Sequence, residues 1–177
     1  MRSVIVLPTY NERDNIEVFL RAVRSLDGAP DVLVVDDASP DGTADAARAL
    51  AGELGGIEVL DRAAKDGLGS AYRAGFERVL AGDYDAVVSM DADLSHDPAV
   101  IPEMLALLDD GADAVIGSRY VEGGGTTDWP IHRRLLSRWG NAYTRTVLGL
   151  SASDCTSGYR AYTAAALRSI DPTSTEA

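Results

Sequence analysis

Two aspartates, Asp91 and Asp93, stand two residues apart in VVSMDADLSHDP, where an apolar run gives way to a loop. Side chains on extended backbone alternate faces, so positions i and i+2 point the same way. If that backbone persists through Ala92, the two carboxylates converge on one point. Like charges there repel unless a divalent metal, an arginine or a proton lies between them. Hard divalent cations prefer carboxylate oxygens, and Mg²⁺ commonly bridges one or two carboxylates to substrate phosphates. The bland reading is a pair of solvated loop acids with Asp97 as a helix cap, the usual fate of a D-x-D. Position at the end of a buried strand is what favours chemistry.

Other residues of similar promise follow apolar runs. Asp36 and Asp37 end DVLVVD and precede ASPDG, strong turn chemistry. One acid is expected to organise the turn and the other to accept hydrogen bonds from a nucleobase or ribose. Lys65, the only lysine, lies just before Gly67-Leu68-Gly69-Ser70, with Arg62 nearby. A helix N-terminus beside a cation suits a phosphate, whereas the bland reading is a surface turn. Arg119 closes DAVIGSR and serves either as an ion-pair partner of the acid cluster or as a clamp on a substrate phosphate. Tyr10 and Glu12 in PTYNE suit a flat base and a ribose, or else simply precede a helix capped by Asn11 or Asp14. His96 is expected to be an exposed loop residue, and Cys155 a small packed one.

These residues need a scaffold that brings loops together. Short β-branched or apolar runs at 3–7, 31–36, 57–60, 85–90 and 113–119 predict five strands. Helical spacing predicts helices over 11–26, 39–54, 67–81 and 98–108, with residues 131–150 largely helical. Strands alternating with helices imply a single α/β domain with a mostly parallel sheet covered on both faces. Right-handed crossovers then set the carboxyl ends of the strands along one edge, where ligands bind in such sheets. PTYNE, DDASPDG, DRAAKDGLG, DAD and GSR all fall on that edge.

Composition narrows the class. A chain of 177 residues with 46% hydrophobic and 25% charged residues fits one globular domain. A net charge of −12 argues against a nucleic-acid partner. The charge is uneven: residues 1–127 hold 24 acids against 10 bases, whereas residues 129–153 contain four arginines and no acid. The arginines there alternate with Trp129, Leu135, Leu136, Trp139, Tyr143 and Val147. A lone cysteine excludes an intrachain disulfide and points to a reducing compartment. With two separated histidines, it also argues against a structural zinc site. The five-residue apolar run near the N-terminus is too short for a signal peptide or a membrane span.

Taken together, VIVLPTYNERDNI, VLVVDDASPDGTADAA, DGLGSAYRAGF, MDADLSHDP, GSRY, RRLLSRWGNAYTR and SDCTSGYRAY occur in order from about Val4 to about Asp171. Their sequence resembles the family 2 inverting glycosyltransferases of the GT-A fold, in the branch of dolichol-phosphate (polyprenyl-phosphate) mannose synthases. The resemblance implies a metal-dependent transfer of mannose from GDP-mannose to a polyprenyl or dolichyl monophosphate, at the cytoplasmic surface of a membrane. It implies that Pro8, Tyr10 and Glu12 begin the nucleotide site and that Val35 and Asp37 contact guanine and ribose. Asp91, Ala92 and Asp93 would form the D-x-D that holds Mg²⁺ or Mn²⁺ and the diphosphate. Arg119 would bind phosphate, and Arg133 or Arg134 would meet the acceptor phosphate. Some relatives place a glutamine metal ligand where Ser95 stands; serine is shorter and would reach the ion directly or through water. Residues 1–177 correspond to the catalytic domain, without the strand-rich segment carrying an R…G-x-S-K pattern that relatives have beyond it.

Two alternatives accompany this reading. A glucosyltransferase using UDP-glucose would share the scaffold. A receiver-type signalling module also has a strand-end LVVDD and a later strand-end aspartate, but it needs a lysine near GSR, and the only lysine here is Lys65.

Overall fold

The computed structural model describes residues 1–119, 139–140, 146 and 154–172. Within them, a six-stranded sheet is built from β1 (Ser3–Thr9), β2 (Asp31–Asp36), β3 (Ile57–Asp61), β4 (Ala86–Ser89), β5 (Ala114–Ile116) and β6 (Arg160–Thr163), in the order β3-β2-β1-β4-β6-β5. β1 pairs in parallel with β2 and β4, and β2 with β3. β6 is antiparallel to both β4 and β5, so β5 runs in the same direction as β4. The expected α/β architecture with a mostly parallel sheet is therefore present, with one antiparallel strand inserted that the sequence reading does not contain. The order reverses between β1 and β4, and that reversal opens a crevice outside the carboxyl ends of those two strands.

The central strands are apolar on both faces because helices cover both. On one face Ile5, Leu7, Val32, Val34 and Val88 pack with residues of α1 (Arg13–Arg24), α2 (Thr43–Leu54) and α4 (Ile101–Asp109). On the other, Val4, Val6, Leu33, Val35 and Val87 pack with α3 (Leu68–Leu80) and α5 (Ala164–Ser169). The alternation of Val4/Val6 with Ile5/Leu7 is the period-two rule of a strand. α1 contributes Ile16, Phe19, Leu20 and Val23 at helical spacing, all fully buried. Each such side chain stabilises the fold by about 1.5–3 kcal/mol relative to leaving it in water. α3 lies unusually close to the sheet: a Cβ at Gly75 would sit 2.3 Å from the Val6 side chain. That close approach fixes the start of α3 over the crevice.

The observed boundaries of α1, α2 and α3 fall inside the expected ranges, and a 3₁₀ turn, Pro98–Val100, leads into α4. α1 begins differently from expectation. Its N-cap is Glu12 rather than Asn11 or Asp14, and the capping groups come from the loop after β2 and the first residue of α2. Ser39, Thr43 and Asp41 accept hydrogen bonds from the backbone N–H groups of Asn11, Glu12 and Arg13, respectively, each at 3.0 Å. These donors have no partner within the helix, so one loop completes the other. The expected helix over 131–150 lies outside the described residues, apart from 139, 140 and 146.

Candidate functional site

A cavity of about 250 Å³ occupies the crevice. The end of β1 supplies Pro8, Thr9, Tyr10 and Glu12, and the loop after β2 supplies Asp37. Lys65, Gly67, Leu68 and Ala71 come from the β3–α3 loop and the first turn of α3, and Asp91, Ala92 and Asp93 from the segment after β4. Eight residues singled out from the sequence, Pro8, Tyr10, Glu12, Asp37, Lys65, Asp91, Ala92 and Asp93, thus line one cavity. A larger cavity of about 350 Å³ lies at the opposite edge of the sheet. Its charged groups largely satisfy each other, Arg2 pairing with Asp31 at 3.2 Å and Arg78 with Glu58 at 2.7 Å.

Backbone strain concentrates at the crevice. Asn11, Ala38 and Leu94 have φ of 61°, 56° and 60°. Left-handed backbone is uncommon for residues other than glycine, and bulky side chains pay most for it. These three positions follow β1, β2 and β4, so three of the loops that meet at the cavity each hold one such residue.

The two strand-end acids of β2 have separate roles. Asp36 is 2% exposed and accepts hydrogen bonds from the Thr9 hydroxyl at 2.8 Å, the Ser39 amide at 2.8 Å and the Ser39 hydroxyl at 2.7 Å. It organises the turn. Asp37 lines the cavity and receives Arg62 Nη1 at 2.6 Å, while Arg62 Nη2 donates to Ser70 Oγ at 2.6 Å. Arg62 is thereby committed to holding Asp37 and the start of α3, and Lys65 is the cation of this loop that faces the cavity. No side chain caps α3 at Gly67, so the positive end of the helix opens toward the cavity.

β4 ends at Ser89, yet the alternation continues beyond it. Ala92 is buried, while Asp91 is half-buried, Asp93 is exposed, and both reach the cavity. Asp91 Oδ1 accepts a hydrogen bond from Tyr72 of α3 at 3.2 Å. Burial and the neighbouring Asp91 charge push the Tyr72 hydroxyl well above its ordinary range, so it stays a donor. On the other side, a Cβ at Gly158 would lie 3.4 Å from Asp91 Oδ2, so the glycine leaves that oxygen room. Asp93 Oδ1 accepts the Ser95 amide at 2.9 Å. Ser95 itself is exposed and outside the cavity lining.

Among the described residues neither Asp91 nor Asp93 is ion-paired, and none form a group of three or more metal-ligating side chains. Two hard oxygen donors, with phosphate oxygens and water to complete the shell, are what Mg²⁺ or Mn²⁺ needs when it is held jointly with a substrate. The donor set fits such an ion and does not form a closed protein cage.

Arg119 finds a different partner from the acid cluster. Its Nε and Nη2 meet Asp154 at 2.8 and 3.0 Å, and Nη2 also donates to Thr156 Oγ1 at 2.6 Å. Asp154 is 0% exposed. Burial alone would raise its carboxyl, but hydrogen bonds from Arg119 and Thr156 outweigh that and hold it at about 2. The loop behind this pair is pinned throughout. Arg160 donates to the carbonyls of Ser157 and Cys155 at 2.7 and 2.8 Å, Ser157 Oγ to the Gly117 carbonyl at 2.8 Å, and Ser89 Oγ to the Gly158 carbonyl at 2.9 Å. Asp154 was legible only as part of the SDCTSGYRAY stretch, where its spacing from Thr156 is that of a local Asx turn. Tyr72 carried no sequence signal beyond its place on α3.

Other expectations land elsewhere. His96 is not an exposed loop residue: it is half-buried with its ring 5.1 Å from that of Tyr159, whose hydroxyl donates to the Asp97 carbonyl at 3.1 Å. Burial lowers the His96 pKa against the opposing pull of Asp91 and Asp93. Val35 is fully buried, its side chain packed beneath α3 near Gly75, and is outside the cavity lining. Asp97 caps the 3₁₀ turn, accepting the Ala99 amide at 2.9 Å. Arg133 and Arg134 lie outside the described residues.

A mixed, mostly parallel α/β sheet with strand-end acids gathered at its switch point belongs to the class of open α/β folds that bind ligands at that edge. Residues 4–171 match the family described as glycosyl transferase family 2, and the chain belongs to that family. It is 49% identical over 171 residues to the undecaprenyl-phosphate mannosyltransferase of Micrococcus luteus, covering 97% of this chain and 70% of that protein. It is 45% identical over 175 residues to the polyprenol monophosphomannose synthase of Mycolicibacterium smegmatis, covering 96% and 64%. Among solved structures, the glucosyl-3-phosphoglycerate synthase of Mycobacterium tuberculosis in complex with Mn²⁺, UDP and glucosyl-3-phosphoglycerate aligns with a TM-score of 0.62 and 26% identity, covering 93% of this chain and 57% of that one. Family membership displaces the receiver reading, and the position of Lys65 beside the cavity after β3 accords with that.

Proposed function

We propose that this chain transfers mannose from GDP-mannose to a polyprenyl monophosphate, with inversion at the anomeric carbon. The observation that carries this reading is near-full coverage at 49% and 45% identity by two relatives named for mannose transfer to, or mannose attachment on, polyprenyl phosphates. The cavity chemistry is consistent with the donor: Tyr10, Glu12 and Asp37 offer an aromatic face and carboxylates to a nucleoside. Lys65 and the N-terminus of α3 offer positive potential to a diphosphate.

A polyprenyl monophosphate is ionised at neutral pH and is its own nucleophile, so the site needs no strong general base. A phosphate oxygen of the acceptor forms a bond to C1 of mannose as the bond from C1 to the GDP oxygen breaks, and GDP leaves with the electron pair. No proton is transferred. The demand on the protein is to stabilise the diphosphate as charge accumulates on it. Asp91 and Asp93 would hold Mg²⁺ or Mn²⁺, which when bound neutralises diphosphate charge. Tyr72 orients Asp91, and Asp154 orients Arg119, which we assign to phosphate. Arg133 and Arg134 are assigned to the acceptor phosphate, setting it in line with the breaking bond.

The acceptor also explains the cationic stretch over 129–153. A polyprenyl phosphate keeps its head group at a bilayer surface, and each arginine near an anionic surface contributes roughly 1 kcal/mol of attraction. Trp139 is 68% exposed, as an interfacial anchor requires. We assign peripheral attachment, at the cytoplasmic face, on that cationic, tryptophan-bearing stretch; among the described residues no helix is long and apolar enough to cross a membrane. Competition between GDP and UDP for the wild-type chain with Mn²⁺ tests the donor assignment. Tighter GDP binding is expected, and tighter UDP binding would move the enzyme to the UDP-glucose branch.

A further inference from the structure

Lys65 and Tyr10 meet across the mouth of the cavity. The ammonium lies 3.8 Å from the centroid of the Tyr10 ring, and both residues line the cavity. The two belong to different loops, after β3 and after β1 respectively. A cation over an aromatic face at this distance is attracted by the ring quadrupole. Lys65 therefore covers a face of the ring to which the proposed function assigns the nucleobase. One ring face does not hold an ammonium and a base at once.

We propose that Lys65 is a displaceable plug on the base-stacking face of Tyr10 and makes donor binding depend on base and diphosphate together. The inference rests on reading this cavity as the nucleotide site. A base that stacks on the face of Tyr10 that Lys65 covers must first eject the ammonium, losing the cation–π contact. A ligand with a diphosphate recovers that loss, because Lys65 swings onto phosphate oxygens beside Asp91 and Asp93 and forms charge-assisted hydrogen bonds there. A nucleoside alone offers no such replacement and carries the full cost. Lys65 thus raises the affinity for nucleoside diphosphates and lowers it for nucleosides, through one side chain acting in two places.

The chain has one lysine, which gives the idea a single-site probe. Reductive methylation with ¹³C-formaldehyde places a dimethylammonium on Lys65 and keeps its charge; the N-terminal amine, labelled as well, serves as a reference. In the wild type the Lys65 methyl signal is expected upfield of its position in Tyr10→Leu, because the ring current shields it. Adding GDP should move it downfield as the ammonium leaves the ring. In parallel, Lys65→Met is expected to bind guanosine about 2- to 5-fold more tightly than the wild type, the factor matching the ~0.5–1 kcal/mol of an exposed cation–π contact. The same variant should bind GDP about 10-fold more weakly.

The signs of these two changes are opposite, which no general loss of structure produces. If GDP binds by calorimetry while the methyl signal stays upfield, or if Lys65→Met weakens guanosine and GDP alike, the plug is wrong and the nucleotide site stands. A wild-type chain that gives no heat with GDP overturns the nucleotide reading and the plug with it.

Discussion

Replacing Asp154 with asparagine isolates the pair that anchors Arg119. Asp154 is 0% exposed and the Arg119 side chain 17%, with contacts of 2.8 and 3.0 Å between them. Removing the charge leaves a nearly buried guanidinium without its counterion, a change that typically costs 3–5 kcal/mol. Asparagine keeps one acceptor oxygen and Thr156 remains in place, so the expected loss is near the low end, about 3 kcal/mol. The pH dependence gives an independent reading. The carboxyl is held at about 2 in the folded chain, against an ordinary 3.8. At about 1.4 kcal/mol per pH unit, this corresponds to about 2 kcal/mol. A depressed carboxyl stabilises the fold fully above its unfolded value and loses that stabilisation as pH falls through the folded one. The wild type should therefore lose about 1 kcal/mol of this contribution by pH 3 and most of it by pH 2. Urea unfolding of both proteins at pH 7 and pH 3 is the assay. Asp154→Asn should unfold at clearly lower urea at pH 7, and the gap should narrow by about 1 kcal/mol at pH 3. Equal midpoints at pH 7, or a gap independent of pH, would refute the account of this pair.

Asp91→Asn and Asp93→Asn should each weaken metal-dependent GDP binding while leaving the fold intact, since in the metal-free chain the change removes like-charge repulsion. Titration of GDP with and without Mn²⁺ reads this directly, and unchanged metal dependence in both variants would remove the metal assignment. The wild type should pellet with anionic vesicles at low salt and release at high salt, whereas an Arg133→Ala/Arg134→Ala double variant should stay in the supernatant. Equal pelleting of the two proteins would remove Arg133 and Arg134 from the membrane contact.

Much of the site was legible because strand ends write themselves into sequence. β1, β2 and β4 are apolar on both faces, and the polar residues that follow them mark where the chain leaves the sheet. Eight of the expected residues therefore fell on one cavity once the strands were placed in parallel. The division of labour between Asp36 and Asp37 was legible only through the family resemblance, which names Asp37, because neighbouring acids differ only in which way each side chain turns. β6 escaped because RAYT is four residues long and runs straight into a short helix. Its antiparallel insertion between β4 and β5 depends on pairings distant in sequence, such as Ser89 with Arg160 and Ile116 with Arg160. The Arg119–Asp154 pair was hidden for the same reason: both residues are visible, but only the sheet brings a separation of 35 residues down to 2.8 Å. His96 looked like an exposed loop residue, since nothing local announces the Tyr159 ring that shelters it.

The most direct measurement supplies the chain with GDP-mannose labelled in the sugar, Mn²⁺ and a polyprenyl monophosphate in detergent or vesicles, then follows the label into the organic phase. The account predicts a mannosyl phosphate of the polyprenol in the β configuration, formed from GDP-mannose in preference to UDP-glucose and abolished by chelation of the metal. A product with retained configuration, or a preference for UDP-glucose, would contradict it.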